Sequence, residues 1–397
     1  MENILLVDCN NFFVSCEELF NPGLKGEAVC VLSNNDGCIV ARSNKAKELG
    51  ITMGMPYFMA KRKFKNVIYI SGDIAKYSEI SKRIMKKLYE FTPSVEIYSI
   101  DEAFLDIKGC EKLYKMKPVQ IADNIRKKVK EETGIEVSIG VSKTKTLAKI
   151  ASKIAKNNTR YGIKTAYEGV FEINDSNIDF ILSQTEIEKV WGVGKNLHGF
   201  FRKHNIANAK MYKEIEDDFL KRNLGKRGIE LKNELSGIKA YPVVNCYIPP
   251  KSISKSSSFK EFTKNKDYIK NELNNHLHRV CIKLRSYGLS AGSLSVMLRT
   301  KDFIAKNEKI IFGQPKNSEF ELYKTMHELF EILYGEGVIY RSSGICVSRL
   351  VKTKDVQLIL FESDIVKKKR KLSDVWDKIE QKFGYGAIHV GLKQKRQ

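Results

Sequence analysis

Tyr98-Ser99-Ile100-Asp101-Glu102-Ala103-Phe104-Leu105-Asp106 sets two adjacent carboxylates inside a run that otherwise reads as β-strand. Val95, Ile97 and Tyr98 precede or open the run, and Phe104, Leu105 and Ile107 close it, all apolar or strand-favouring. Burying two neighbouring anions there is unfavourable unless positive charge sits against them. A divalent cation is the natural partner, because hard oxygen ligands on rigid strands suit Mg²⁺. Taken alone, the pair reads more readily as a polar hairpin turn facing water. The fold therefore turns on whether a third carboxylate arrives beside it.

Working outward, residues 3–8 form a short apolar strand that delivers Asp8 at its C-terminal end. Cys9-Asn10-Asn11-Phe12-Phe13 reads as a turn opening a helix. Residues 28–32 and 38–41 make a hairpin around Ser33-Asn34-Asn35-Asp36-Gly37, and Asp-Gly is a strong turn signal. A helix carrying Lys45, Lys47 and Glu48 stops at Gly50, and another short helix spans 56–63. From Ala75 to Phe91, Ile80, Ile84, Leu88 and Phe91 recur at helical spacing. The hairpin 95–107 follows, then a helix over 118–133, a strand over 136–141 and a helix over 144–157. The sum is β-α-β-β-α-β, a ferredoxin-like split βαβ interrupted after its first strand by an insertion. In that topology Asp8 lands beside Asp101 and Glu102.

The rest of the chain reads as further domains. Residues 163–236 are mostly short helices around Val190-Trp191-Gly192-Val193-Gly194-Lys195. A tight Gly-x-Gly turn there presents N–H groups and Lys195 to a phosphate, or serves as a plain helix-turn-helix corner. Pro242, Pro249, Pro250 and a Ser-rich stretch through Ser258 read as linker-like. A second α/β module follows, with a helix over 266–288, a strand over 293–299, a helix over 317–334 and a strand over 344–351. Ser254, Arg299, Lys301, Ser348 and Arg349 fall on its exposed strand positions, suiting a sheet along a phosphate backbone or an ordinary solvated basic face. The tail holds Gln357-Leu358-Ile359-Leu360-Phe361, a basic run Lys367–Lys371 and a short helix through Trp376. The Gln-aliphatic-Phe peptide reads as a docking segment or as a last strand.

The fold expected is thus α+β and multidomain. A ferredoxin-like palm (1–10 and 72–162) carries inserted fingers (11–71). A helical helix-hairpin-helix thumb (163–236), a linker (237–250), a separate α/β little-finger domain (251–351) and a C-terminal tail (352–397) follow. The formal net charge of +22 across 397 residues points to a polyanionic partner, nucleic acid first. Residues 237–355 contribute +9 of it. The absence of a long apolar run, a signal peptide and a basic amphipathic terminal helix argues for a cytoplasmic, nucleoid-associated protein without a membrane role. Eight scattered cysteines without a Cys-x-x-Cys pair suggest reduced thiols and no zinc site. His276 and His278 read as surface or packing histidines, with no acidic cluster joining them.

Asp8, Asp101 and Glu102 together would hold two Mg²⁺ ions about 3.5–4 Å apart, a site for in-line displacement of pyrophosphate by a hydroxyl. Positioning and charge stabilisation dominate such chemistry.

Several spaced motifs now add a resemblance. Asp8-x-Asn-x-Phe12-Phe13, Ser33-Asn34-Asn35-Asp36-Gly37-Cys38, Ala41-Arg42, Ala46-Lys47-x-Leu49-Gly50 and Ser99–Asp106 resemble the Y-family translesion DNA polymerases. The SNNDGC and AR stretches are most similar to the UmuC type, the catalytic subunit of DNA polymerase V. The resemblance implies an error-prone polymerase of DNA repair and SOS damage tolerance that uses primer-template DNA and deoxynucleoside triphosphates. It implies metal ligation by Asp8, Asp101, Glu102 and the Cys9 carbonyl, and a steric gate against a 2′-hydroxyl at Phe13 beside Phe12. Lys156 and Lys47 match triphosphate-binding positions. Ala41 and Asn44 replace a Thr and a Tyr of other branches, with Arg42 expected to compensate. DNA contacts are expected from Gly192, Gly194, Lys195, Arg299 and Arg349. Gln357, Leu358, Leu360 and Phe361 match a sliding-clamp motif, and a UmuD-like dimer and a recombinase filament are further implied partners. Two rivals stand beside this reading: a nucleotidyl cyclase on a related palm, whose Gly-Gly-acidic-acidic-Phe hairpin is absent, and a non-catalytic DNA- and clamp-binding scaffold.

Overall fold

The computed structural model describes residues 3–33, 35–156, 167–245, 249–356, 364–384 and 386–388. It separates into two units, Met1–Cys246 and Tyr247–Gln397.

In the first unit, strand β1 (Ile4–Cys9) is buried along nearly its whole length and leads into helix α1 (Phe12–Phe20). The inserted segment forms β2 (Val29–Leu32), β3 (Ile39–Arg42), α2 (Asn44–Glu48), α3 (Tyr57–Lys63) and β4 (Ile68–Ser71). The Ser43 hydroxyl caps α2 by accepting from the Ala46 N–H. The region around the acidic hairpin then follows as α4 (Ile74–Leu88), β5 (Val95–Ile97) and β6 (Glu102–Asp106). Next come α5 (Cys110–Tyr114), α6 (Pro118–Thr133), β7 (Val137–Ser142), α7 (Lys145–Ala155) and β8 (Val170–Glu172). Helix α6 opens on Pro118 and ends at Gly134 with φ 72°, the expected asymmetry of helix ends.

The main sheet has the order β5-β6-β1-β7-β8. Strand β1 lies between β6 and β7, antiparallel to both, as the split βαβ requires. Leu5, Val7, Leu105, Ile139 and Val141 face one core with Ile84, Leu88, Ile121, Ile125 and Val129 from α4 and α6. The other face meets α7, where Ile4, Leu6, Phe104 and Ala148 pack together. Two short strands escaped the sequence reading. Strand β4 is half-exposed and pairs in parallel with β2, making the insertion a three-stranded sheet β3-β2-β4. The three residues of β8 pair in parallel with β7. Both pairings are non-local and too short to leave a period in the chain.

Helices α8 (Ile178–Gln184), α9 (Lys195–Lys203), α10 (Ala209–Lys213) and α11 (Asp217–Leu235) complete this unit. Gly225 (φ 64°, ψ −153°) interrupts α11 and divides it into two short helices, in keeping with the short helices expected over this segment. Buried Glu234 near the end of α11 accepts the Thr146 N–H at 2.9 Å and the Ala240 N–H at 2.9 Å, while its carbonyl accepts from the Thr144 hydroxyl. This ties α11 to the N-terminus of α7, where a carboxylate suits the helix dipole.

The second unit contains β9 (Ser252–Thr263), α12 (Lys266–Ser286), β10 (Leu289–Thr300), β11 (Ala305–Lys316), α13 (Glu319–Leu333), β12 (Tyr340–Lys352) and α14 (Asp364–Phe383). Its sheet is antiparallel with order β11-β10-β12-β9. Ile269, Leu273, Leu277, Val280 and Leu284 of α12 pack on Leu294, Val296 and Leu298 of β10, the faces their spacing marked out. The Ser-rich stretch expected as linker is an edge strand, because alternate residues Ile253 and Phe259 reach this core. Strand β11 is exposed, carries no alternation, and exists only through its pairing with β10.

The histidines are buried, and an acidic pair does join one of them. His278 lies 2.7 Å from Glu319 and 3.1 Å from Glu380, and its ring stacks on Trp376 at 4.1 Å. Arg285 bonds both Glu319 and Asp377. Helix α14 therefore belongs to the little-finger body and is a long helix rather than part of a tail. Among the described residues all cysteines are free thiols, and no helix is long and apolar enough to cross a membrane.

Gly140 of β7 sets how closely α7 seats on the sheet. A Cβ there would lie 2.0 Å from the Ala148 carbonyl oxygen and 2.3 Å from the Ser152 nitrogen. Gly140→Ala is expected to lower the unfolding free energy by about 2 kcal/mol or more, read by urea denaturation.

Candidate active site

Register alone brings the predicted carboxylates together. Asp8 is the cross-strand partner of Glu102, and the Cys9 N–H donates to the Asp101 carbonyl at 2.9 Å. The turn before β6 is shaped by Ser99. Its hydroxyl accepts the Glu102 N–H at 3.0 Å and donates to the Asp101 carboxylate at 2.6 Å. Each carboxylate is thus held by a different partner. Lys156, at the C-cap of α7, lies 2.6 Å from Asp8. Lys149, two turns earlier on α7, contacts both Glu102 oxygens at 3.1 and 2.9 Å. Among the described residues no cluster of His, Cys, Asp or Glu side chains is gathered as a ready metal cage.

Burial pushes the Asp8 carboxyl up to about 6, against the opposing pull of Lys156, with Glu102 and Asp101 adding to the rise. The Cys9 thiol is fully buried and pushed well above its ordinary range by burial, so only its backbone carbonyl is available as a hard ligand.

A second cluster is cationic. The Lys47 ammonium donates to Asn11 at 2.5 Å and to Asn44 at 3.2 Å, and Asn11 donates to Asn44 at 3.1 Å. Burial and then the charges of Lys156 and Arg42 depress the Lys47 pKa. Lys47 therefore feels two further cations, Arg42 and the Lys156 that pairs with Asp8. Asn11 sits in the left-handed region (φ 49°, ψ 38°), a strained position typical of a functional turn. Arg42 donates to the Ile51 carbonyl, so part of its guanidinium is committed within the insertion.

Phe13 is half-buried and stacks on Tyr77 with centroids 4.6 Å apart at 21°. Tyr77 in turn donates to buried Glu17 at 2.6 Å. Phe12, expected at the nucleotide, is only 3% exposed and belongs to the core, so its side chain offers no surface to a ligand.

Gly192 (φ 89°), Gly194 and Lys195 form an exposed turn at the start of α9, and a Cβ on either glycine would meet nothing. In the second unit, Arg299 is half-buried in β10 with a buried Nε that finds no partner. Arg349 is exposed in β12 with φ 53° opposite the bulge at Gly292. Gln357, Leu358, Leu360 and Phe361 fall outside the described residues.

Sequence reasoning missed Asn11, Ser99 and Lys149. Their signals were present: an asparagine before a helix, a serine two residues before the acidic pair, and a lysine seven residues before Lys156 on the same helix face.

With this geometry in hand, relatives can be compared. The description impB/mucB/samB family matches residues 7–153, and its C-terminal domain matches residues 250–360. The chain is 30% identical to Protein UmuC of Salmonella typhimurium, covering 98% of this chain and 94% of the relative. The chain belongs to that family. It is also 30% identical to DNA polymerase IV of Dehalococcoides mccartyi (strain CBDB1), covering 98% of this chain and 97% of the relative. A solved structure titled "Y-family DNA polymerase chimera Dbh-Dpo4(243-245)-Dbh" aligns with a TM-score of 0.72 at 22% identity, covering 88% of this chain and 99% of that one. As a UmuC-type member of the Y family, the chain is a translesion DNA polymerase. The scaffold and cyclase readings are not favoured.

The Asp8 shift carries a testable sign. The folded carboxyl holds its proton to about pH 6, whereas the unfolded one releases it near 3.8. The folded state therefore binds more protons in that window, and stability falls as pH rises through it. Asp8→Asn removes this liability. It is expected to stabilise the cation-free protein by on the order of 2 kcal/mol at pH 8 and not below pH 3.8, measured by urea denaturation at both pH values.

Proposed function

We propose that this polymerase uses Asp8, Asp101 and Glu102, with the Cys9 carbonyl, to hold two Mg²⁺ ions, and Lys47 and Lys156 to bind the incoming triphosphate. The observation that carries the reading is the meeting of two unlike clusters at Lys156: three carboxylates on the β1/β6 pair, and the Lys47, Arg42 and Lys156 cations beside them. As a family these enzymes depend on divalent cations. The residues present fit that requirement, because burial and the neighbouring Glu102 and Asp101 penalise the charged Asp8, a cation at the same oxygens would offset that penalty, and the donors are hard. Bound there, such ions would lower the pKa of the primer hydroxyl and stabilise charge on the departing pyrophosphate.

The chain's own residues do the rest. Asp8 and Glu102 stand opposite each other across one strand pair, and Ser99 holds Asp101 in the turn beside them. Lys47 and Lys156 supply charge for the triphosphate, and Asn11 and Asn44 orient the Lys47 ammonium. Asn44 thus serves the cradle where a Tyr contact is lost. Phe13, backed by Tyr77, presents the ring against which a 2′-hydroxyl would clash, favouring deoxynucleotides. Gly192, Gly194 and Lys195 suit a backbone phosphate, because the exposed turn leaves room for close approach. Arg299 and Arg349 suit the same role in the second unit.

Primer extension on undamaged and lesion-bearing templates tests the assignment. Asp101→Ala is expected to abolish Mg²⁺-dependent extension on both. Lys47→Ala is expected to raise KM for the deoxynucleotide roughly 10- to 100-fold, the size of one lost charge-assisted contact. Extension that survives Asp101→Ala would remove the carboxylates from the chemistry.

The proposal extends to partners and place: damage tolerance of the SOS kind in the cytoplasm at the nucleoid, with the Gln357–Phe361 peptide docking on the sliding clamp and a UmuD-like dimer and recombinase filament as accessory proteins. Pull-down of each, with and without residues 357–361, is expected to lose the clamp alone on deletion.

A further inference from the structure

Lys149 does more than neutralise Glu102. Its ammonium lies within bonding distance of both Glu102 oxygens and also 4.4 Å from the Tyr98 ring centroid and 5.9 Å from that of Trp191. The two rings are fixed to each other, because the Trp191 indole N–H donates to the Tyr98 hydroxyl at 2.9 Å. Trp191 is braced in turn by edge contacts to Tyr98 and Tyr241. The neighbouring lysine of α7 cannot exchange with it: Lys145 is buried, paired to Glu96, and seated over Phe104. Lys149 therefore has two seats within reach, a carboxylate and an aromatic wall, and the wall belongs partly to the exposed Gly192–Lys195 turn's own loop.

We propose that Lys149 is a positioning residue that holds Glu102 in the cation-free enzyme and withdraws onto the Tyr98 and Trp191 faces when a divalent cation takes the carboxylate. This rests on the reading of Asp8, Asp101 and Glu102 as cation ligands. The physical ground is exclusion. An ammonium and a divalent cation repel, and both cannot sit on the same pair of oxygens. Cation–π attraction to these two rings, 4.4 and 5.9 Å away, gives the displaced charge a place to stay. Loading of the site is thereby coupled to the environment of Trp191, one residue before the turn.

The full chain tests this through Mn²⁺ binding followed by electron paramagnetic resonance, in the wild type, Lys149→Met, Lys149→Arg and Asp101→Asn. Lys149→Met is expected to tighten Mn²⁺ roughly tenfold by removing the competing charge, while Lys149→Arg stays near the wild type. The Mg²⁺ concentration for half-maximal extension should fall in parallel for Lys149→Met. Mg²⁺ is also expected to change the tryptophan emission of the wild type, and this change should be lost in Trp191→Phe and in Lys149→Met. Lys149→Gln repeats the measurement if the Met variant melts early. Wild-type Mn²⁺ affinity in both neutral variants, or an emission change that persists in them, overturns the role of Lys149. Undiminished Mn²⁺ binding in Asp101→Asn would instead overturn the carboxylate assignment on which it rests.

Discussion

The antiparallel pairing of β1 with β6 is the constraint on which the rest of this enzyme depends. It sets Asp8 directly opposite Glu102 and brings Asp101 alongside through the turn that Ser99 shapes. Strand geometry then makes the crowding unavoidable, since opposed residues lie within about 5.5 Å. Burial first, and Glu102 and Asp101 after it, raise the Asp8 pKa against the pull of Lys156. On the proposed reading, a divalent cation at these oxygens would offset the penalty that burial puts on the charged carboxylate.

The fold answers that crowding with one helix. Lys149 and Lys156 reach the carboxylates from α7, seven residues apart and so on one face. The helix can lie close enough only because Gly140 beneath it has no side chain. Its N-terminus is tied down separately by Thr144 and by buried Glu234 of α11. The same helix thus links the β1/β6 pair, helix α11 and, through Lys156, the Lys47 and Arg42 cations of the inserted segment.

The fingers contribute a complementary imbalance. Lys47 is depressed by burial and by its cationic neighbours just as Asp8 is raised by burial and by its anionic ones. Asn11 bridges the two regions in a left-handed conformation, between β1 and α1 and within reach of Lys47. Opposite errors of charge sit side by side, and a nucleotide with its cations would correct both.

Most of the palm was legible in the chain because its signals are local: the buried strand ending in Asp8, the acidic pair between apolar neighbours, and the helical spacing of Ile80, Ile84 and Leu88. The carboxylate triad followed from element order alone, since a split βαβ leaves the first strand no other neighbours. Strands β4, β8 and β11 were invisible because each owes its existence to a partner far along the chain rather than to its own pattern. The Ser-rich β9 was misread for the same reason, its few core residues being spaced widely among serines. Phe12 and Phe13 look alike in sequence, yet the turn at Asn11 sends one into the core and leaves the other at the site. Element order thus brought the three carboxylates together, and the spaced motifs carried the resemblance to a polymerase family. Only the tertiary structure decided which lysine guards which carboxylate, because that depends on how closely one helix packs against one sheet.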